Sequence, residues 1–176
     1  MASPQELSGG LGEGLASFAN LEQLLLYENM LSSTIPAAVS ALSELTYLDI
    51  SLNSFSGTLP DTFDRLTLLT NLYLSNNQFS GTIPKSISAL PLQFLWVDSN
   101  ELSGNIHGGL GDLIELQSLL LQDNAFTGTM PGKVCVLVNG SSFGKLERLE
   151  ADCGGGAPEL ECGCCTVCWD EQSDGL

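Results

Sequence analysis

The sequence predicts a repeat solenoid of stacked coils, closed towards its C-terminal end by a cysteine staple, and three observations carry that expectation. Asparagines recur at positions 29, 53, 77, 100 and 124, spaced 24, 24, 23 and 24 residues apart. An alternation of inward- and outward-facing residues, x-Leu-x-Leu-x in its commonest form, leads into each asparagine. All six cysteines fall between positions 135 and 168.

Aligned on the asparagines, the chain yields five copies, beginning at Leu21, Leu45, Leu69, Leu92 and Leu116. The third reads LTNLYLSNNQFSGTIPKSISALP and the second LTYLDISLNSFSGTLPDTFDRLTL. The shared frame is L-x-x-L-x-L-x-x-N-x-Φ-S-G-x-I-P-x-x-Φ-x-x-L, with Φ apolar. Period-two alternation is the mark of a strand, because successive side chains point to opposite faces. Leu24 and Leu26 are therefore expected inward, as are Leu48 and Ile50, Leu72 and Leu74, Leu95 and Val97, and Leu119 and Leu121. The asparagine lets the chain turn, and its amide can bond backbone groups of neighbouring coils. Asn29, Asn53, Asn77, Asn100 and Asn124 thus read as a structural ladder rather than as ligands. No coil can bury its apolar face alone; stacking makes the core continuous.

This frame resembles the plant-specific class of leucine-rich repeats, whose mark is the S-G-x-I-P segment after the asparagine. The resemblance covers about residues 7–138. It implies an α/β solenoid: an arc with a parallel sheet on the concave side, a second short strand at S-G-x-I-P, and short 3-10 or helical turns on the convex side. It also implies an extracytoplasmic recognition domain of a receptor, receptor-like protein or secreted inhibitor. Departures are few: Ser32-Ser33 stands in place of Ser-Gly, and Ile106-His107 in place of Ile-Pro.

Residues 1–20 match the second half of a copy without its strand, residues 21–138 hold the five copies, and residues 139–176 form a degenerate sixth coil, cysteine-rich cap and acidic tail. The half copy, with no capping segment before it, reads as the start of a fragment whose upstream coils and signal sequence lie elsewhere. Leu146 to Cys153 restarts the strand pattern. The L-x-x-L-x-A-D-C and C-x-C-C-T-x-C arrangement is similar to the cap of repeat proteins from diatoms and related algae.

The six cysteines, Cys135, Cys153, Cys162, Cys164, Cys165 and Cys168, allow 15 disulfide connectivities. Adjacent Cys164 and Cys165 should take different partners, and bridges from Cys135 and Cys153 to the 162–168 cluster would pin the tail over the open end of the core. Zinc held by Cys162, Cys164, Cys165 and Cys168 is the competing reading, with Cys165-x-x-Cys168 at ligand spacing. Free redox thiols are a third. Clustered cysteines point weakly to an oxidising compartment, hence to an extracellular or cell-surface location.

There are 21 acidic residues against five basic ones, for a formal net charge of −16. Nucleic acid phosphates and anionic membranes are repelled by such a surface, whereas a cationic partner or simple solubility fits it. No apolar run approaches the ~20 residues that span a bilayer. One histidine, His107, reads as a tolerated surface substitution, and no nucleophile, phosphate-loop, dinucleotide or zinc-protease motif accompanies it. The carboxylates Asp49 and Asp98 lie two coils apart, with nothing to shield them from water. The chain is therefore read as a non-catalytic binding module without catalytic residues, cofactor or metal.

A ligand would meet the outward strand positions. These form the columns Gln23, Tyr47, Asn71, Phe94, Ser118; then Leu25, Asp49, Tyr73, Trp96, Leu120; then Tyr27, Ser51, Ser75, Asp98, Gln122. Aromatics beside carboxylates suit a protein, peptide or polysaccharide surface, and Tyr27, Tyr47, Asp49, Tyr73, Phe94, Trp96 and Asp98 are the candidate contacts. A structural or cell-surface coat role is the alternative. A more remote one is ice binding by hydroxyl rows: Thr34, Thr58, Thr82 and Thr129 with Asn105, beside Ser32, Ser56, Ser80, Ser103 and Thr127. Asn139-Gly-Ser is a glycosylation sequon in an expected loop.

Overall fold

The computed structural model describes residues 7–138, 144–154 and 160–169. Asn139, the glycosylation candidate, lies outside them. The coils stack into two parallel sheets of seven strands each among the described residues. One sheet is built from Gln23–Leu25, Tyr47–Asp49, Asn71–Tyr73, Phe94–Trp96, Ser118–Leu120, Arg148–Ala151 and Val167–Cys168. The other holds the S-G-x-I-P strands, from Ser8–Gly9 through Met30–Ser33, Ser54–Thr58, Gln78–Gly81, Glu101–Asn105 and Ala125–Thr129 to Leu160–Glu161. Short 3-10 turns such as Ala37–Ala41 and Lys85–Ala89 return each coil, and the α-helix Gly132–Val138 does so for the last full one.

The inward leucines form one core with Phe55, Phe63 and Phe79, all fully buried. Phe55 and Phe79 occupy the same repeat position and stack with ring planes 5° apart. Leu24 and Leu26, on the edge strand of their sheet among the described residues, are only partly buried.

The asparagine ladder closes the backbone accounts of each turn. Asn53 Nδ2 donates to Leu26 O one coil back at 2.8 Å and to Ile50 O and Ser51 O of its own coil, while its Oδ1 accepts the Leu31 N–H at 2.9 Å. Asn77, Asn100 and Asn124 repeat the pattern. Asn29 reaches only its own coil's carbonyls and the Leu7 N–H. A buried carbonyl or N–H without a partner costs ~1–3 kcal/mol, so a side chain that serves two coils at once is structural wherever the stack continues.

The S-G-x-I-P glycines are required by conformation. Gly57, Gly81, Gly104 and Gly128 have φ between 76° and 85°, a region that costs side-chain-bearing residues. A Cβ on Gly57 would also lie 2.8 Å from the Thr34 methyl of the previous coil. Ser33, standing where the frame has glycine, adopts φ 94° regardless.

Three disulfides form the staple: Cys135–Cys164, Cys153–Cys168 and Cys162–Cys165. Cys135 and Cys153 do reach the 162–168 cluster, and Cys164 and Cys165 do take different partners. The tail then does more than cover the core end. Leu160–Glu161 pairs with Ala125–Thr129 on one sheet, and Val167–Cys168 pairs with Arg148–Ala151 on the other, so the tail extends both C-terminal edges. Cys153 lies past the sixth strand, which ends at Ala151, rather than within it.

Candidate functional site

The concave face is the sheet that begins at Gln23–Leu25, and its registers follow directly from the repeat. Tyr47, Asn71, Phe94, Ser118 and Arg148 align across the strands, and so do Asp49, Tyr73, Trp96, Leu120 and Glu150. Neighbouring strands in a sheet lie ~4.8 Å apart, so aromatics at successive register positions must touch. Tyr73 is the hub. Its ring centroid lies 4.5 Å from Trp96 in an edge-on pair, 5.2 Å from Tyr47 and 6.2 Å from Phe94. Trp96 and Phe94 meet at 6.5 Å, again edge-on. Such offset geometries are the favoured ones for aromatic pairs.

Polar contacts hold the rings in place. Asn71 Nδ2 donates to Tyr73 Oη at 3.0 Å, and Trp96 Nε1 donates to Ser118 Oγ at 3.0 Å. Burial, with Tyr73 and the Asp49 carboxylate beside it, pushes the Tyr47 phenol up to about 12. Asp49 Oδ1 accepts both the Ser51 N–H (3.1 Å) and the Ser51 hydroxyl (2.6 Å). Asp98 accepts the Ser75 hydroxyl. Burial raises the Asp98 carboxyl above the ordinary range, against the opposing pull of that hydrogen bond.

The face is graded along the solenoid. At its first coil Leu25 and Tyr27 are 49% and 53% exposed. In its middle the aromatics are half-buried against one another, and Tyr73 is only 9% exposed. Three rings pack around Tyr73. At the far end Ser118, Leu120 and Gln122 are buried although they point outward. The covering groups are Trp96, which bonds Ser118, and the sixth coil, which places Arg148 beside Ser118 and Glu150 beside Leu120. Glu150 is buried and held by Arg148 Nε and by Trp169 Nε1 at 2.9 Å. Repeat reasoning could not find this Arg148–Glu150–Trp169 group, since Trp169 follows the last repeat and arrives only through the Cys153–Cys168 bridge.

The candidate residues thus fall into one neighbourhood, with Tyr27 at its open end and Asp98 near its covered end. His107 differs from its expectation. It is half-buried, its Nε2 has no hydrogen-bond partner among the described residues, and desolvation lowers its pKa. The zinc alternative does not hold, because Cys165 is bonded to Cys162 and Cys168 to Cys153. The sulfurs of Cys153, Cys162 and Cys165 lie within 4.8 Å of one another, yet a disulfide sulfur is not the thiolate that binds a metal. No helix among the described residues is long and apolar enough to cross a membrane.

On the opposite sheet, Thr34, Thr58, Thr82, Asn105 and Thr129 form an exposed row. The Thr58 and Thr82 methyls approach the next coil's Gly81 and Gly104.

Two stacked parallel sheets, an asparagine ladder and left-handed glycines in four of the five copies make the molecule a leucine-rich-repeat solenoid. Residues 19–79 match the family described as Leucine rich repeat. Among solved structures, the ectodomain of the plant membrane receptor kinase GASSHO1/SCHENGEN3 from Arabidopsis thaliana, in complex with CASPARIAN STRIP INTEGRITY FACTOR 2, is 33% identical, with a TM-score of 0.72 over 74% of this chain and 16% of that one. The Arabidopsis receptor kinase HAESA ectodomain, in complex with an IDA peptide hormone ligand, is 35% identical, with a TM-score of 0.69 over 72% of this chain and 21% of that one. A plant ice-binding protein is 30% identical, with a TM-score of 0.73 over 89% of this chain and 47% of that one. The chain therefore spans less than a quarter of these receptor ectodomains and about half of the ice-binding protein. No curated protein sequence matches it.

Proposed function

We propose that this chain is a non-catalytic recognition module that holds a polypeptide segment on its concave sheet, in an extracellular or cell-surface setting. The observation that carries it is the continuous aromatic surface over Tyr47, Tyr73, Phe94 and Trp96, opening onto exposed Leu25 and Tyr27. Apolar area of this kind with a polar rim is how interface hot spots are built. Two of the similar ectodomains carry a partner or peptide ligand, which supports a polypeptide over a polysaccharide. The stapled end suits an oxidising compartment.

The test is a fluorescence titration with a peptide library, using Trp169→Phe so that Trp96 is the sole reporter. Tyr27→Ala/Tyr47→Ala should abolish binding, while Phe18→Ala, on an exposed residue outside the strands of this sheet, should not. Binding that survives the double substitution would remove the concave site from consideration.

A second reading rests on the threonine row. No hydrogen bond from another described residue occupies the hydroxyls of Thr34, Thr58 and Thr82, and the chain is 30% identical to a plant ice-binding protein over 89% of its length. Regular hydroxyls at strand spacing can order water. Thermal hysteresis or recrystallisation inhibition that vanishes in Thr58→Lys/Thr82→Lys would support ice binding. Wild type inactive in both assays would end that reading.

A further inference from the structure

The concave sheet and the turns that follow its strands carry an uneven charge. Among the described residues Arg148 is the only cation in the strands of this sheet, and it is paired with Glu150. Asp49 and Asp98 form no ion pair among the described residues: a serine hydroxyl holds each instead, and Arg148 exerts only the weakest of the attractions on Asp98. Asp49 Oδ2 takes no hydrogen bond from any described residue. Both carboxylates border the aromatic surface, Asp49 in register with Tyr73, and Asp98 two residues past Trp96.

We infer that the segment held on this sheet presents a guanidinium or ammonium group to the aromatic surface between Asp49 and Asp98. This rests on the concave recognition reading above and adds the chemistry of the ligand. A ring face attracts a cation, and a partly desolvated carboxylate gains most from a counter-charge that water does not screen. A neutral or acidic segment would desolvate Asp49 and Asp98 further and leave them uncompensated, which discriminates against it. Exposed Leu25 and Tyr27, one coil away, accept an apolar neighbour of that cation. The net charge of −16 draws such a segment in, but the local pair fixes where the cation sits.

The experiment compares two libraries of acetylated, amidated hexapeptides. One fixes arginine at a central position, and the other fixes citrulline, its neutral isostere. Binding is read by Trp96 fluorescence in the Trp169→Phe background at 0.15 M salt. Arginine peptides should bind about tenfold more tightly than their citrulline partners, and Asp49→Asn/Asp98→Asn should erase that difference. Glu44→Gln/Asp64→Asn removes the same charge from exposed residues elsewhere and should preserve it. An unchanged melting temperature establishes that the Asp49/Asp98 variant is folded. Equal binding of both libraries, lost in Tyr27→Ala/Tyr47→Ala, overturns the cation and leaves the concave site standing. Equal sensitivity to both charge pairs overturns the local site in favour of long-range attraction. Failure of both libraries to bind overturns this inference and the concave reading together.

Discussion

Replacing Asn77 by alanine tests the ladder that holds the coils in register. The Asn77 amide donates to Ile50 O at 3.0 Å, Leu74 O at 3.1 Å and Ser75 O at 3.3 Å, and Oδ1 accepts the Phe55 N–H at 2.9 Å. Two N–H hydrogens serve three carbonyls, so about three full hydrogen bonds are at stake, each worth ~1 kcal/mol. Asn77→Ala should therefore cost about 3 kcal/mol and lower Tm by about 6–12 °C in a chain of this size. Asn29→Ala is the internal comparison. Its amide bonds only Leu26 and Tyr27 of its own coil, and its Oδ1 accepts the exposed Leu7 N–H. Water can replace those partners, so the loss should be about 1 kcal/mol or less. Urea unfolding with the disulfides intact measures both. Hydrogen exchange at Phe55 should accelerate in Asn77→Ala well before global unfolding. Equal losses for the two variants, or an undisturbed Phe55 amide, would refute the idea that the ladder works by joining coils.

Removing Cys135–Cys164, whose residues are 29 apart, should cost about 3–4 kcal/mol by loop entropy, against about 1–2 kcal/mol for Cys162–Cys165, separated by three. Paired cysteine-to-alanine variants compared by differential scanning calorimetry give the order. Ser33→Gly should stabilise the fold by about 0.5–1 kcal/mol because it relieves φ 94°, and Gly81→Ala should cost about 1–2 kcal/mol at φ 76°. Urea midpoints report both signs. Because folding raises the Tyr47 phenol from 10.0 to about 12, its contribution to stability is present below pH 10 and lost as pH rises towards 12. In absorbance titration Tyr47→Phe should remove the phenolate step near 12, and its stability should fall less between those two pH values.

The repeat determined the coils, their inward faces, the outward columns and the structural asparagines. These follow from local periodicity: a residue's position within its copy fixes its face, and identical copies stack in one register. Tertiary structure decided which outward residues are surface. Tyr47 and Tyr73 hold different places in their strands, yet the hub position buries Tyr73 under three rings. Leu120 and Leu25 share a column, but Leu120 lies beside Glu150 of the sixth coil while Leu25 remains open. The cysteines likewise left 15 pairings open, and the path of the tail across both sheet edges selected one. Periodicity records what each coil repeats. The exposure of Asp49 and Asp98, the burial of Glu150 and the choice of sulfur partners depend on what arrives from outside the repeat, which only the folded chain brings together.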